Sequence, residues 1–369
     1  MQPAQGSIAT AAAVEPTIPQ RYLALDAYRG FIMLVLASGG FGFAALAQRR
    51  PDLSWIARQF EHMPWEWITF WDLIQPAFMF MVGVAMPFAL ARRMEQGATP
   101  NQLFRHVAAR SFRLILMSQI LMSISRGRMH FQLINVLAQI GLTYFLSYLI
   151  IQLKFRWQAA IAAFLLAGHW ALFVAFPGTE GPFMSKTTNI GAVLDKIVFG
   201  SVNPGYWATL NFVTSTVTTL FGVWAGQLIR SRRSHSDKMR ILGLWAVSCL
   251  ALGFAIHPWN PIIKRICTTS FTLYSAGWVL LMLLAFYWAI EVQGWRKWTF
   301  PLVVVGANSI FIYSLDIILR GWLNRAVGVF TLKFEWIGDF APVAQSCAVL
   351  LVMWYLCYWL YQRKIFLKL

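Results

Sequence analysis

A chain of 369 residues that is 58% hydrophobic and 12% charged, with a mean hydropathy of +0.57, is not a soluble globular protein. Soluble domains carry about 25% charged residues and lack repeated apolar runs near twenty residues. The 31 Lys and Arg against 14 Asp and Glu give a net charge of +17, but they fall in short connectors such as Arg92-Arg93, Lys154–Arg156, Arg230–Arg240 and Arg363–Lys368. That is the distribution of the positive-inside rule, and it excludes nucleic acid as a partner. The remaining partners for these charges are membrane-lipid headgroups and an anionic co-substrate such as a CoA phosphate.

Residues 1–20 have neither a basic n-region nor an apolar h-region and read as a flexible N-terminal tail. Residues 21–369 read as one all-α, polytopic membrane domain. Windows of about twenty apolar residues predict about ten spans, near 22–47, 68–91, 105–125, 131–153, 157–176, 207–229, 240–257, 268–291, 300–320 and 342–362. With both termini cytoplasmic, the more basic connectors fall inside, the 230–240 loop most clearly.

The first span opens with Asp26 and Arg29, which share a helix face at i and i+3 and can pair at the membrane interface. Next comes His62, followed by Trp65, Thr69, Asp72 and Pro76. A histidine at the mouth of a span, with a carboxylate just inside it, suits proton transfer near neutral pH. A carboxylate at that depth wants a partner, since Asp at a helix centre costs about 2.5–3.5 kcal/mol. A solvated loop is the plain alternative for His62. Trp65 and Trp67 suit a headgroup belt.

Arg105, Arg110 and Arg113 open the third span and are expected to turn inward or snorkel. Gln119, Gln132, Asn135, Gln139 and His169 are weaker polar candidates, His169 being expected as a packed residue. The 177–206 loop is too long for a bare connector and is expected to cap a cavity or to hold a short helix. Two prolines, Pro258 and Pro261, end the seventh span. The ninth carries Gly306, Asn308 and Ser309, suited to close helix approach and to hydrogen bonding across an interface, and then Asp316 and Arg320 at i and i+4. Cys249, Cys267, Cys347 and Cys357 have no CxxC spacing. They read as small buried hydrophobes, and no metal site is suggested.

Several segments taken together resemble the heparan-α-glucosaminide N-acetyltransferase family of transmembrane acyltransferases, in a bacterial-type form. They are Arg21-x-x-x-x-Asp26-x-Tyr28-Arg29-Gly30, His62-x-x-Trp65-x-x-x-Thr69-x-x-Asp72-Leu73-x-x-Pro76 with Phe80-x-x-Gly83, Val136-Leu137-x-x-x-Gly141-x-Thr143-Tyr144-Phe145, Gly306-x-Asn308-Ser309, and Arg363-Lys364-Ile365-Phe366-x-Lys368. The His…Trp…Asp…Pro block is the most specific of these. The resemblance implies transfer of an acetyl group from acetyl-CoA to an amino sugar or envelope glycan across a bacterial inner membrane. It implies His62, Asp72 and Asn308 as catalytic residues sharing one cavity bounded by the first, second and ninth spans. Arg29, Asp26, Ser38 and Gln139 are the corresponding candidates for contact with the acyl-CoA. A homodimer is compatible with it. One departure concerns the acceptor: members acting on terminal glucosamine carry an Asn shortly after the Arg-Gly, where this chain has Ala37-Ser38-Gly39-Gly40. Outside the resemblance, the same buried polar residues fit a transporter or flippase of a small polar or lipid-linked sugar, or a scaffold without chemistry.

Overall fold

The computed structural model describes residues 22–331 and 335–367; the predicted 1–20 tail, Arg21 and Lys368 lie outside these. Among the described residues there are fourteen α-helices and no strand, only isolated bridges between Glu66-Trp67 and Ile263. In chain order they are α1 Leu23–Ser38, α2 Phe43–Arg49, α3 Ser54–Gln59, α4 Ile74–Glu95, α5 Pro100–Arg126, α6 Val136–Ile151 and α7 Phe155–Ala175. Then come α8 Ile190–Phe199, α9 Phe212–Arg230, α10 His235–Ala255, α11 Thr269–Tyr287, α12 Phe300–Ala307, α13 Ser309–Thr331 and α14 Ala341–Gln362.

Seven helices are long and apolar enough to cross a membrane, or nine if each of two bent pairs is one span. The bent pairs are α1 with Gly40–Arg49, turning 53°, and Lys297–Ala307 with α13, turning 67°. The predicted 131–153 window yields α6, a shorter apolar helix of 16 residues. The protein is an integral membrane protein of the all-α class.

Composition sets each helix's place. In their most apolar 18-residue stretches Thr209–Arg230 and Phe70–Glu95 have 72% and 67% of residues buried and form the centre, whereas Phe155–Ala175 and Ile337–Gln362 have 22% and turn their apolar faces outward. α4 and α9 pack closely because glycines remove the side chains at their crossing. A Cβ on Gly83 would lie 2.0 Å from the Thr219 carbonyl oxygen, and one on Gly222 2.0 Å from that of Phe80. Gly30 does the same for α1 against α12, where a Cβ would come within 1.8 Å of the Leu302 carbonyl oxygen. Arg320, paired with Asp316 as expected, donates to the Ala37 carbonyl at 2.5 Å and so caps α1 from α13.

Successive long helices alternate in direction, so the connectors gather at two ends. One end holds the described termini. The other gathers 39–73, 127–135, 176–211 and 256–268 into a folded lid. Trp65 Nε1 donates to the Phe183 carbonyl at 3.0 Å, Trp67 N to that of Ile262 at 2.8 Å, and Asn203 Nδ2 to Gln132 Oε1 at 3.2 Å. The 177–206 loop holds α8, as expected of its length. Trp65 is buried against Phe173, Phe183 and Ile263, and so serves the lid's core, not a headgroup belt. Of the three third-span arginines, Arg110 turns inward, over the Tyr144 ring.

Candidate active site

The segment from Glu61 to Asp72 closes on itself. Thr69 N-caps the short turn Phe70–Leu73 that leads into α4, and its backbone N–H donates to Asp72 Oδ2 at 3.1 Å. The Thr69 hydroxyl has one proton and gives it to the Glu61 carbonyl at 2.6 Å. Met63 N donates to Asp72 Oδ2 at 3.2 Å. The loop is thereby pinned, and His62 is swung over the carboxylate: Nδ1 lies 2.7 Å from Asp72 Oδ1.

A third group arrives from the opposite side of the lid. Lys264 lies between α10 and α11 in a tight turn, where Cys267 N donates to the Lys264 carbonyl at 3.0 Å and Cys267 takes φ 49°. Its Nζ is 3.2 Å from Asp72 Oδ1 and 3.2 Å from His62 Nδ1. The side chains of Asp72 and Lys264 keep only 2% and 7% of their surface open, against 40% for His62. Trp207 packs edge-on to the His62 ring at 5.4 Å, with Lys264 and Arg265 over its own ring at 5.0 and 5.3 Å.

The donor set fixes the proton positions. An acceptor-only carboxylate takes the proton on Nδ1, so Lys264 donates to Asp72 and the Nε2 lone pair of His62 is left for another partner. Burial draws the His62 pKa below its usual 6.5. The Lys264 and Arg265 cations push the same way, against the hydrogen bond and charge of Asp72. Burial likewise lowers Lys264, with Asp72 opposing. The result is an imidazole kept neutral and oriented, suited to accept a proton at neutral pH.

His62 and Lys264 line a cavity of about 250 Å³ whose walls include Leu36 of α1, Ile74 and Gln75 at the head of α4, Met122 and Arg126 of α5, Val136 of α6, and Trp207. Beneath it, toward the termini end, lies a smaller and mainly apolar cavity of about 120 Å³, lined among others by Arg29, Met33, Met81, Arg110, Ile140 and Tyr313. Val136 belongs to both walls. At the same partition Asn135, which lines the upper cavity, donates from Nδ2 to the Tyr313 hydroxyl at 3.0 Å.

The remaining expected site residues lie elsewhere. Asn308 sits at the α12–α13 break, fully buried, donating to the Ile365 carbonyl and accepting from Leu367 N, both at 3.1 Å. It does not line the His62 cavity, and the ninth span approaches that cavity through Tyr313 instead. The single chamber expected between the first, second and ninth spans is replaced by two stacked ones. Asp26 and Arg29 pair at 3.0 Å, and Arg29 Nε donates to the Gly306 carbonyl while lining the lower cavity. Ser38 donates to the Val35 carbonyl at 2.6 Å and accepts from Gly40 N, closing the end of α1. Gln139 Nε2 binds the carbonyls of Leu133 and Thr209. His169 is buried beside Phe173.

Two curated proteins are similar along the chain. Human heparan-alpha-glucosaminide N-acetyltransferase is 21% identical over 438 aligned positions, covering all of this chain and 63% of its own length. The mouse protein of the same name is 21% identical over 422 positions, covering 95% of this chain and 60% of its own length. The relationship is distant, and this chain spans less than two thirds of either relative. No family model matches the chain.

Proposed function

We propose that the protein is a membrane acetyltransferase that uses acetyl-CoA to acylate the amine or hydroxyl of a sugar at the lid face. The observation that carries this reading is the His62–Asp72–Lys264 cluster at the wall of a cavity, in a chain distantly related to proteins named for N-acetyl transfer. Nε2 of His62 takes the proton of the acceptor as it attacks the thioester carbonyl. The C–S bond then breaks, and the imidazolium returns the proton to the departing thiolate. Asp72 holds the ring and its tautomer, and Lys264 offsets the carboxylate's charge. The lower cavity, apolar with Arg29 and Arg110 in its walls, suits the arm of a CoA donor entering from the termini end, with that end in the cytoplasm of a bacterial inner membrane. Asn308 has no part in this scheme.

Two cavities stacked along the helices also fit a carrier of a small polar or lipid-linked sugar. Thermal stabilisation of the detergent-solubilised protein by acetyl-CoA separates the two readings. A shift that saturates with acetyl-CoA supports the acyltransferase; none with acetyl-CoA, alongside sugar flux in vesicles, favours the carrier.

A further inference from the structure

The cavity that His62 lines also carries a guanidinium with no carboxylate beside it among the described residues. Arg126, the last residue of α5, lines the upper cavity with His130 and Gln132. Its Nη1 donates to His130 Nδ1 at 3.0 Å, and among the described residues no carboxylate faces it. Gln132 Oε1, which accepts from Asn203 Nδ2, lies 3.1 Å from His130 Nε2, so that nitrogen carries the ring proton and Nδ1 is left to accept from Arg126. Gln132 is buried and fixed from two sides: Gln119 binds both its backbone groups, at 3.0 and 3.1 Å, and Asn203 Nδ2 its side chain. A guanidinium presented on a histidine that is anchored on a buried glutamine is a positioned donor at the exposed mouth of the cavity. Contact through Nη1 leaves Nη2 and Nε for a two-pronged grip on an oxyanion.

The cavity's acid cannot answer this charge. Both Asp72 oxygens are occupied, by Met63, Thr69, His62 and Lys264. A neutral sugar would gain little from an unanswered guanidinium. The level of the site matters too. Arg126 ends a membrane span, and the residues just beyond it, Met129 and Phe131, are 97% and 62% exposed. The mouth therefore lies at the end of a candidate span, next to exposed apolar side chains. The volume, about 250 Å³, falls below the 300–1,000 Å³ of drug-sized ligand sites and fits one sugar unit with its substituent. A favourable charge at the α5 C-terminus explains an arginine at 126, but not the half-buried His130 and buried Gln132 behind it.

We propose that the acceptor is an amino sugar bearing a phosphate, which Arg126 grips, positioned by His130, while His62 faces the group to be acylated. The acylation step rests on the acyltransferase reading; the binding step stands without it. The phosphate is either free, as in a soluble sugar phosphate, or esterified to a lipid.

The test is equilibrium binding to the full chain in nanodiscs, with glucosamine, glucosamine 1-phosphate, and the same sugar phosphate esterified to a long-chain alcohol. A charge-assisted pair predicts that the phosphate binds about tenfold to a hundredfold more tightly than glucosamine. Arg126→Gln is expected to bring that ratio close to one, and Arg126→Lys to retain part of it. A further gain with the lipid ester assigns the phosphate to the bilayer; equal binding of the two phosphates assigns it to a soluble sugar. Equal binding of glucosamine and its phosphate, or a preference untouched by Arg126→Gln, overturns the proposal. No acetyl donor is present, so a protein that binds the phosphate but never transfers acetyl would remove the acyltransferase reading alone.

Discussion

His62 and Asp72 are ten residues apart in sequence and 2.7 Å apart in space, Nδ1 to Oδ1. The contact exists because Thr69 and Met63 hold the carboxylate from below, through the loop that leads into α4. Asp72→Asn keeps the shape but offers an amide where the ring needs an acceptor. By analogy with other carboxylate–imidazole pairs, a drop of roughly 10³–10⁴ in kcat is expected with the fold intact. Single-turnover acetyl transfer, paired with a melting curve, checks it; a loss below tenfold would deny Asp72 its orienting part.

Lys264 predicts a pH effect with a definite sign. The base works when neutral, so kcat/KM should rise with pH through a midpoint below the usual histidine 6.5, since burial and the lysine both depress it. Lys264→Gln removes the like charge and leaves Asp72 less compensated, and both changes raise the His62 pKa. The acid limb of the profile should therefore move to higher pH. A limb that stays in place would separate Lys264 from the chemistry.

Removing the whole carboxylate is a different experiment from muting it. Asp72→Ala strands a buried Lys264 without its partner, which costs about 3–5 kcal/mol for pairs of this kind. The Asp72→Ala, Lys264→Met double variant should recover much of that stability, and no activity. Thermal unfolding of the wild type, Asp72→Ala, Lys264→Met and the double variant in one detergent reads the coupling.

Asn308 gives a control with the opposite pattern. Its amide spans the α12–α13 break to Ile365 and Leu367, so Asn308→Ala should loosen the C-terminal segment and cost about 1–3 kcal/mol of stability. kcat measured below the melting transition should change only a few-fold. A loss comparable to that of His62→Ala would bring Asn308 back into the reaction.

Membrane helices were legible because twenty-residue apolar runs have few other uses, and the His62–Asp72 loop because an acid at the head of a span needs a partner. What could not be read has one cause: contact between distant loops. Lys264 looks like any basic connector residue. Its only signal was a Lys-Arg pair at the end where the positive-inside rule expects fewer cations. Arg126, His130 and Gln132 belong to one cavity only because the 203–207 and 264–265 segments fold over them. Asn308 was misplaced because a polar residue at a helix break looks the same whether it faces a cavity or holds a tail. Trp65 fared likewise: a tryptophan near a membrane end suits the interface, and here the 177–206 loop covers it.

In the proposed reaction the imidazole of His62 performs the proton transfer in acyl transfer from acetyl-CoA. The deciding experiment gives radiolabelled acetyl-CoA and an amino-sugar acceptor to membranes containing the wild type or His62→Ala. Label should pass to the sugar with the wild type and fall at least a hundredfold with His62→Ala, general-base removal being worth about 10²–10⁴. Equal transfer by both proteins would show that His62 is not the base.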